Sequence, residues 1–185
     1  MNVWIVDRRL YDQFPNSAIR YQAYLEELNR LTNTIAFGVD QNWNMHRICD
    51  RARQLSGGAI GIMVIDCHGN SAQVQFGTGL RVPGDAIGFQ MLRNCWVGAY
   101  PRIEVQACAT ISSTPVCAPL APPVGCTPGP AGTISTDHSR PEHQLMQRIA
   151  DNAGVLVIAS YDIQNWGPGF EGRIHHYRPA VYHRR

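Results

Sequence analysis

Two apolar runs in this chain end on residues that can do chemistry together. One is Ile62-Met63-Val64-Ile65-Asp66-Cys67-His68-Gly69, and the other is Ile103-Glu104-Val105-Gln106-Ala107-Cys108. His68 and Cys108 stand 40 positions apart, each where a buried strand would emerge from a sheet. A thiol is mostly protonated at neutral pH, and an imidazole beside it makes the thiolate accessible. The pattern predicts Cys108 as nucleophile and His68 as general base, then as the acid that protonates a leaving amine. Gly69 would let a substrate carbonyl approach, and its N–H could bind an oxyanion together with the Cys108 N–H. Plainer roles exist for each: a buried strand thiol, a hydrogen-bonded turn histidine, a turn glycine. Strand alternation turns Cys67 away from His68 and into the core, and Asp66 is a candidate to orient the backbone or His68.

The elements that must position these residues follow from hydrophobic spacing. Strands are expected at 2–6, 59–65, 102–108 and 155–160, and 35–39 reads as a second strand or a connection. Helical spacing marks 17–31 through Ile19, Tyr21, Tyr24, Leu25, Leu28 and Leu31, with Asn16 or Ser17 as cap. Further helices are expected at 44–55, at 84–96 through Ile87, Met91, Leu92 and Cys95, and at 141–153 with Pro141 in the first turn and Gly154 as its end. Val74 and Phe76 alternate with glutamines before glycines, which predicts a small antiparallel hairpin after His68. Residues 166–177 read as a loop and a short edge strand. Six prolines between 113 and 133 argue against a helix or central strand there.

Alternating strands and helices predict one α/β domain over 1–185, a three-layer α/β/α sandwich with a mainly parallel sheet and a Pro-rich insertion at about 113–140. In such sheets ligands bind at the carboxyl ends of the strands. His68, Cys108 and Ser160-Tyr161-Asp162 all fall at such ends.

With these residues in place, the chain resembles the caspase/gingipain/legumain superfamily of cysteine peptidases. The shared pattern is an apolar strand with His-Gly, then an apolar strand, a small residue and Cys. Here it is Val64-Ile65-Asp66-Cys67-His68-Gly69 and Val105-Gln106-Ala107-Cys108. Gln106-Ala107-Cys108 matches the caspase tripeptide, but Ala109-Thr110 replaces the Arg-Gly type of continuation, which argues against a true caspase. Bacterial caspase-like domains of large surface proteins are more similar. Gln75-Phe76-Gly77, Cys108, residues 145–154 and Val157-Ile158-Ala159-Ser160 follow their order, so the likeness spans roughly 59–162. It implies a cysteine endopeptidase with a His68–Cys108 dyad, an oxyanion hole at Gly69 and Cys108, and a protein or peptide substrate. A charged pocket often selects the residue before the scissile bond in such enzymes. Asp162 is the candidate for a basic preference, with Glu104 as the alternative. The Pro-rich segment lies where caspases carry their activation linker, which suggests a loop that covers or gates the site and is cut, with the enzyme itself as one candidate for the cutting; Arg140 is a poor cut site because Pro141 follows. An effector, a toxin or a processing enzyme would suit a domain of this kind, and a cognate inhibitor or immunity protein would be a partner. The rivals are another cysteine hydrolase on the same fold and an inactive interaction module.

Composition narrows the classes. Only 16% of residues are charged and the formal net charge is +2, no footprint for nucleic acid or an anionic membrane. No apolar run approaches the ~20 residues of a membrane span. Met1–Asp7 is too short and too soon charged for a signal peptide, so synthesis as a cytoplasmic protein is expected, with signal-independent export left open. Cys49 and Cys95 read as core residues, while Cys117 and Cys126 could pair in an oxidising compartment. Zinc would need a set drawn from Cys67, His68, Cys108, Cys117, Cys126, His138 and His143. No cysteine pair has the close spacing zinc sites use, so neither metal nor cofactor is expected. His175, His176 and His183 are expected at the surface.

Overall fold

Val3, Trp4, Ile5 and Val6 are all buried, so the first strand is covered on both faces, as a central strand of an α/β sheet must be. The computed structural model describes residues 1–70, 73–80, 84–107, 139–161, 170 and 173–180. The strands are β1 (Asn2–Asp7), β2 (Thr34–Val39), β3 (Ile62–Asp66), β4 (His68–Asn70), β5 (Gln73–Gln75), β6 (Arg102–Gln106), β7 (Leu156–Ser160) and β8 (Ile174–Tyr177). The α-helices are α1 (Ser17–Asn29), α2 (Met45–Leu55) and α3 (Pro141–Ala153), with 3₁₀ segments at Arg8–Tyr11 and Asp85–Leu92.

The central sheet runs in the order β2-β1-β3-β6-β7-β8. Neighbours are parallel except β8, which pairs antiparallel with β7 at the edge. The fold is therefore α/β with a mainly parallel six-stranded sheet. From β1 the chain steps through α1 to β2, then returns through α2 past β1 to β3 on its other side. Right-handed crossovers in opposite directions place α1 and α2 on opposite faces. The core follows that division. Val3, Ile5, Met63, Ile65, Ile103, Val105 and Val157 join residues of α2 and α3. Trp4, Val6 and Val64 join Leu28, with Tyr21, Tyr24 and Leu25 of α1 partly buried against them.

Local chemistry sets the ends. The Asn44 side chain accepts from Arg47 N at 2.9 Å and caps α2. α3 stops at Gly154, which takes the left-handed conformation. Arg93 closes the same terminus, donating to the Asn152 and Asp151 carbonyls at 2.8 and 2.9 Å. Pro141 opens α3 as expected.

Two expectations change. Residues 84–96 do not form an α-helix but the 3₁₀ segment Asp85–Leu92. Ala86, Phe89 and Leu92 are buried at a spacing of three, the 3₁₀ period, and Ile87 is exposed. Gly88 allows this close fit, since a Cβ there would lie 2.7 Å from Met45 Cβ. In α1, Ile19 is 70% exposed and Asn16 makes no side-chain cap, so the helix holds the sheet through Leu28 and its tyrosines. Among the described residues no helix is long and apolar enough to cross a membrane. The Pro-rich segment, with Cys117 and Cys126, lies outside the described residues apart from its last two positions.

Candidate active site

The strand order reverses between β1 and β3, and in an open parallel sheet the ligand crevice lies outside the carboxyl ends at that point. Asp7 ends β1, and His68 follows β3 by two residues. β3 and β6 are neighbours in parallel register, with Asp66 opposite Gln106. Cys67 N–H donates to the Gln106 carbonyl at 3.4 Å, carrying that contact one residue past β3. The chain then turns into a two-stranded hairpin in which His68 pairs with Gln75 and Gly69 with Val74. His68 thus opens the hairpin rather than ending the sheet strand. Cys67 is buried, as alternation requires, and Ala107, which directly follows β6, is buried too. Cys108 and Asp162 lie outside the described residues.

The His68 ring is partly buried, and its Nε2 lies 3.2 Å from the Arg9 carbonyl oxygen. A carbonyl can only accept, so Nε2 carries the hydrogen and the neutral ring keeps its lone pair on Nδ1. Burial pushes the His68 pKa down; the Arg9 carbonyl and the Asp7 charge oppose that, and the Arg9 charge adds to it. The result is a neutral imidazole of defined tautomer, the form a general base needs.

Arg9 is held in turn. Its Nε and Nη2 reach Asp7 Oδ1 and Oδ2 at 2.8 and 2.7 Å, and Nη2 also donates to the Gly77 carbonyl at 2.9 Å. Asp7 is fully buried. It also accepts from Gly77 N–H at 2.9 Å and from Arg9 N–H at 3.0 Å. Gly77 has φ +56°, and a Cβ on it would collide with the Trp43 carbonyl. Neither Asp7 nor Arg9 stands out by residue type or spacing. Their one local signal is a carboxylate closing an apolar strand two residues before an arginine.

Asp66 does not orient His68. Its carboxylate accepts from Tyr24 OH at 3.0 Å on the α1 side of the sheet. Burial pushes its pKa up to about 6. Tyr24 offsets part of that, as does the Trp4 indole N–H, which lies outside hydrogen-bonding geometry with any acceptor among the described residues. Glu104 is engaged within its strand, accepting from Arg102 Nε at 2.6 Å and Gln106 Nε2 at 3.2 Å. At the end of β7, Ser160 and Tyr161 are buried, and both bond to the Arg173 carbonyl, at 3.3 and 3.0 Å.

Elsewhere, His143 is buried in α3 rather than available at a surface, with Nδ1 2.6 Å from Tyr177 OH. His175, expected at the surface, is half-buried in the same cluster, 5.5 Å from His143 between ring centroids and 3.2 Å from Tyr161 OH through Nδ1. No group of three or more His, Cys, Asp or Glu side chains suited to a metal occurs among the described residues. An open cleft of about 420 Å³ lies beside the β1 and β2 ends, lined by Arg8, Arg9, Asp12, Asp40, Gln41 and Asn42. Compared with known proteins, the chain matches no family model, no curated protein and no solved structure.

Proposed function

We propose that the chain is a cysteine endopeptidase of caspase-like type, built on a three-layer α/β/α sandwich, with His68 and Cys108 as its dyad. The supporting observation is the register of β3 and β6. Asp66 faces Gln106, and His68 and Cys108 each come two positions later in the sequence. The fixed tautomer of His68 adds to it, because the free lone pair is then on Nδ1.

In this scheme Cys108 Sγ attacks the scissile carbonyl carbon and its proton passes to His68 Nδ1. The N–H groups of Gly69 and Cys108 stabilise the oxyanion. His68 returns the proton to the leaving amine as the C–N bond breaks, and water then hydrolyses the thioester. Asp162 remains the candidate for selecting Arg or Lys before the scissile bond. An unchanged peptide-library preference in Asp162→Ala would exclude it. Effector, toxin or self-processing roles, cytoplasmic synthesis with signal-independent export, and an inhibitor or immunity partner belong to the same proposal.

The test is labelling of wild-type, Cys108→Ala and His68→Ala protein with peptide acyloxymethyl ketones bearing Arg, Lys, Asp or Leu, read by intact mass. One adduct, lost in both variants, is expected. Labelling without cleavage of any peptide favours another cysteine hydrolase. No adduct, with Cys108 reacting like an ordinary thiol toward iodoacetamide, favours an interaction module.

A further inference from the structure

A carboxylate withdrawn from water at the end of a central strand must be fully hydrogen-bonded or it destabilises the fold. Asp7 meets that demand with four donors. Oδ1 accepts from Arg9 N–H and Arg9 Nε, and Oδ2 accepts from Arg9 Nη2 and Gly77 N–H. Its register partner on β2 is Val39, equally buried and apolar, so the position does not itself require a charge. What the charge does is grip two other segments.

Both polar atoms of Gly77 are held: its N–H by Asp7, its carbonyl by Arg9 Nη2. Gly77 follows β5, whose Gln75 pairs with His68 on β4. The same Arg9 presents its own carbonyl to His68 Nε2. A closed circuit results: Asp7 to the Arg9 guanidinium, to Gly77, through the hairpin to the His68 backbone, and from the His68 ring back to Arg9. The backbone and the ring of His68 are therefore referenced to one buried carboxylate 61 positions earlier in sequence.

We propose that Asp7 is the positioning residue of the His68 base, acting through Arg9 and Gly77 to hold the Arg9 carbonyl against Nε2 and leave Nδ1 free. This rests on His68 being the base of the proposed reaction. Partners behind a functional histidine fix which ring nitrogen carries the proton, and Asp7 does so at one remove. A purely structural ion pair would hold the turn together but would not select a tautomer.

The tautomer is the measurement. Two-bond proton–nitrogen correlation spectra of nitrogen-15-labelled full-length protein report it, with His68→Gln identifying the resonance. Wild type is expected to show Nε2 protonated and Nδ1 bare above the titration of the ring. In Asp7→Asn the Nδ1-protonated population is expected to rise about tenfold, the weight of one intramolecular hydrogen bond. Arg9→Gln, whose native side chain is a quarter exposed, should do the same and serves if Asp7→Asn does not fold. A wild-type ring that is mixed or Nδ1-protonated overturns the proposal with no variant needed. So does an unchanged tautomer in either folded variant. The spectra do not depend on Cys108. Loss of the peptidase reading would appear in the labelling experiment while the tautomer result stood, and the reverse failure would leave labelling intact.

Discussion

His68 Nε2 sits 3.2 Å from the Arg9 carbonyl, on the β1 side of the crevice, which leaves Nδ1 as the ring's basic atom. Burial lowers the pKa of this ring below its ordinary value. The neutral base therefore persists to more acid pH than a solvated histidine would. Rates of probe labelling at Cys108 should fall on the acid side with a midpoint below about 6.5. The same shift makes folding stability decline as pH drops through the folded-state pKa, because the unfolded chain binds the proton more readily. A labelling midpoint at or above 6.5 would contradict this assignment.

Asp66 has the opposite sign. Its pKa is pushed up to about 6 from 3.8, chiefly by burial. The folded protein holds this proton more tightly than the unfolded chain between those values. The associated stability is complete below about pH 4 and is lost as pH rises through about 6. Asp66→Asn keeps an acceptor for Tyr24 OH and removes the charge. Urea unfolding at pH 7 should show the variant more stable by about 1–3 kcal/mol, with the difference vanishing near pH 4. Equal stabilities at pH 7 would show that the carboxylate is adequately solvated.

Gly77 is the hinge between Asp7 and the hairpin. Its φ of +56° and the nearby Trp43 carbonyl exclude a side chain. Gly77→Ala should cost about 2–4 kcal/mol in thermal or urea unfolding. Probe labelling at Cys108 should slow even where the variant is folded, because the hairpin carries His68. An alanine variant with wild-type stability and labelling would place no demand on that conformation.

The parallel sheet was legible because buried strands announce themselves as short apolar runs, as in Ile62–Asp66 and Leu156–Ser160. Helix ends at Asn44, Pro141 and Gly154 were legible from capping chemistry. The segment from Asp85 to Leu92 was not, because its apolar residues also satisfy helical spacing. The close approach of Gly88 to Met45, where a Cβ would lie 2.7 Å away, is a tertiary contact that this spacing does not carry. The position of His68 after a strand was readable, but the tie to Arg9 was not. That contact joins residues 59 apart, and the Asp7–Gly77 bond joins residues 70 apart. Local pattern carries no trace of such pairings. The histidine–tyrosine cluster was hidden for the same reason: His175 lies on an edge strand between the exposed Ile174 and His176, and it meets His143 of α3 across 32 positions of sequence.

Thiol reactivity provides the last prediction. Cys49, Cys67 and Cys95 are buried cysteines. Burial raises the pKa of Cys49 and of Cys95, so both remain protonated at neutral pH. Iodoacetamide applied to the folded protein near pH 7 should modify none of the three until denaturant is added. Against that silent background a dyad thiol at Cys108 should react at least about tenfold faster than free cysteine, consistent with a lowered thiol pKa. Peptide mapping of the alkylated protein assigns each site. The His68→Ala variant should reduce the Cys108 rate to that of an ordinary thiol while the three buried cysteines stay protected. Protection of the core with no acceleration at Cys108 in wild type would count against the dyad without disturbing the fold.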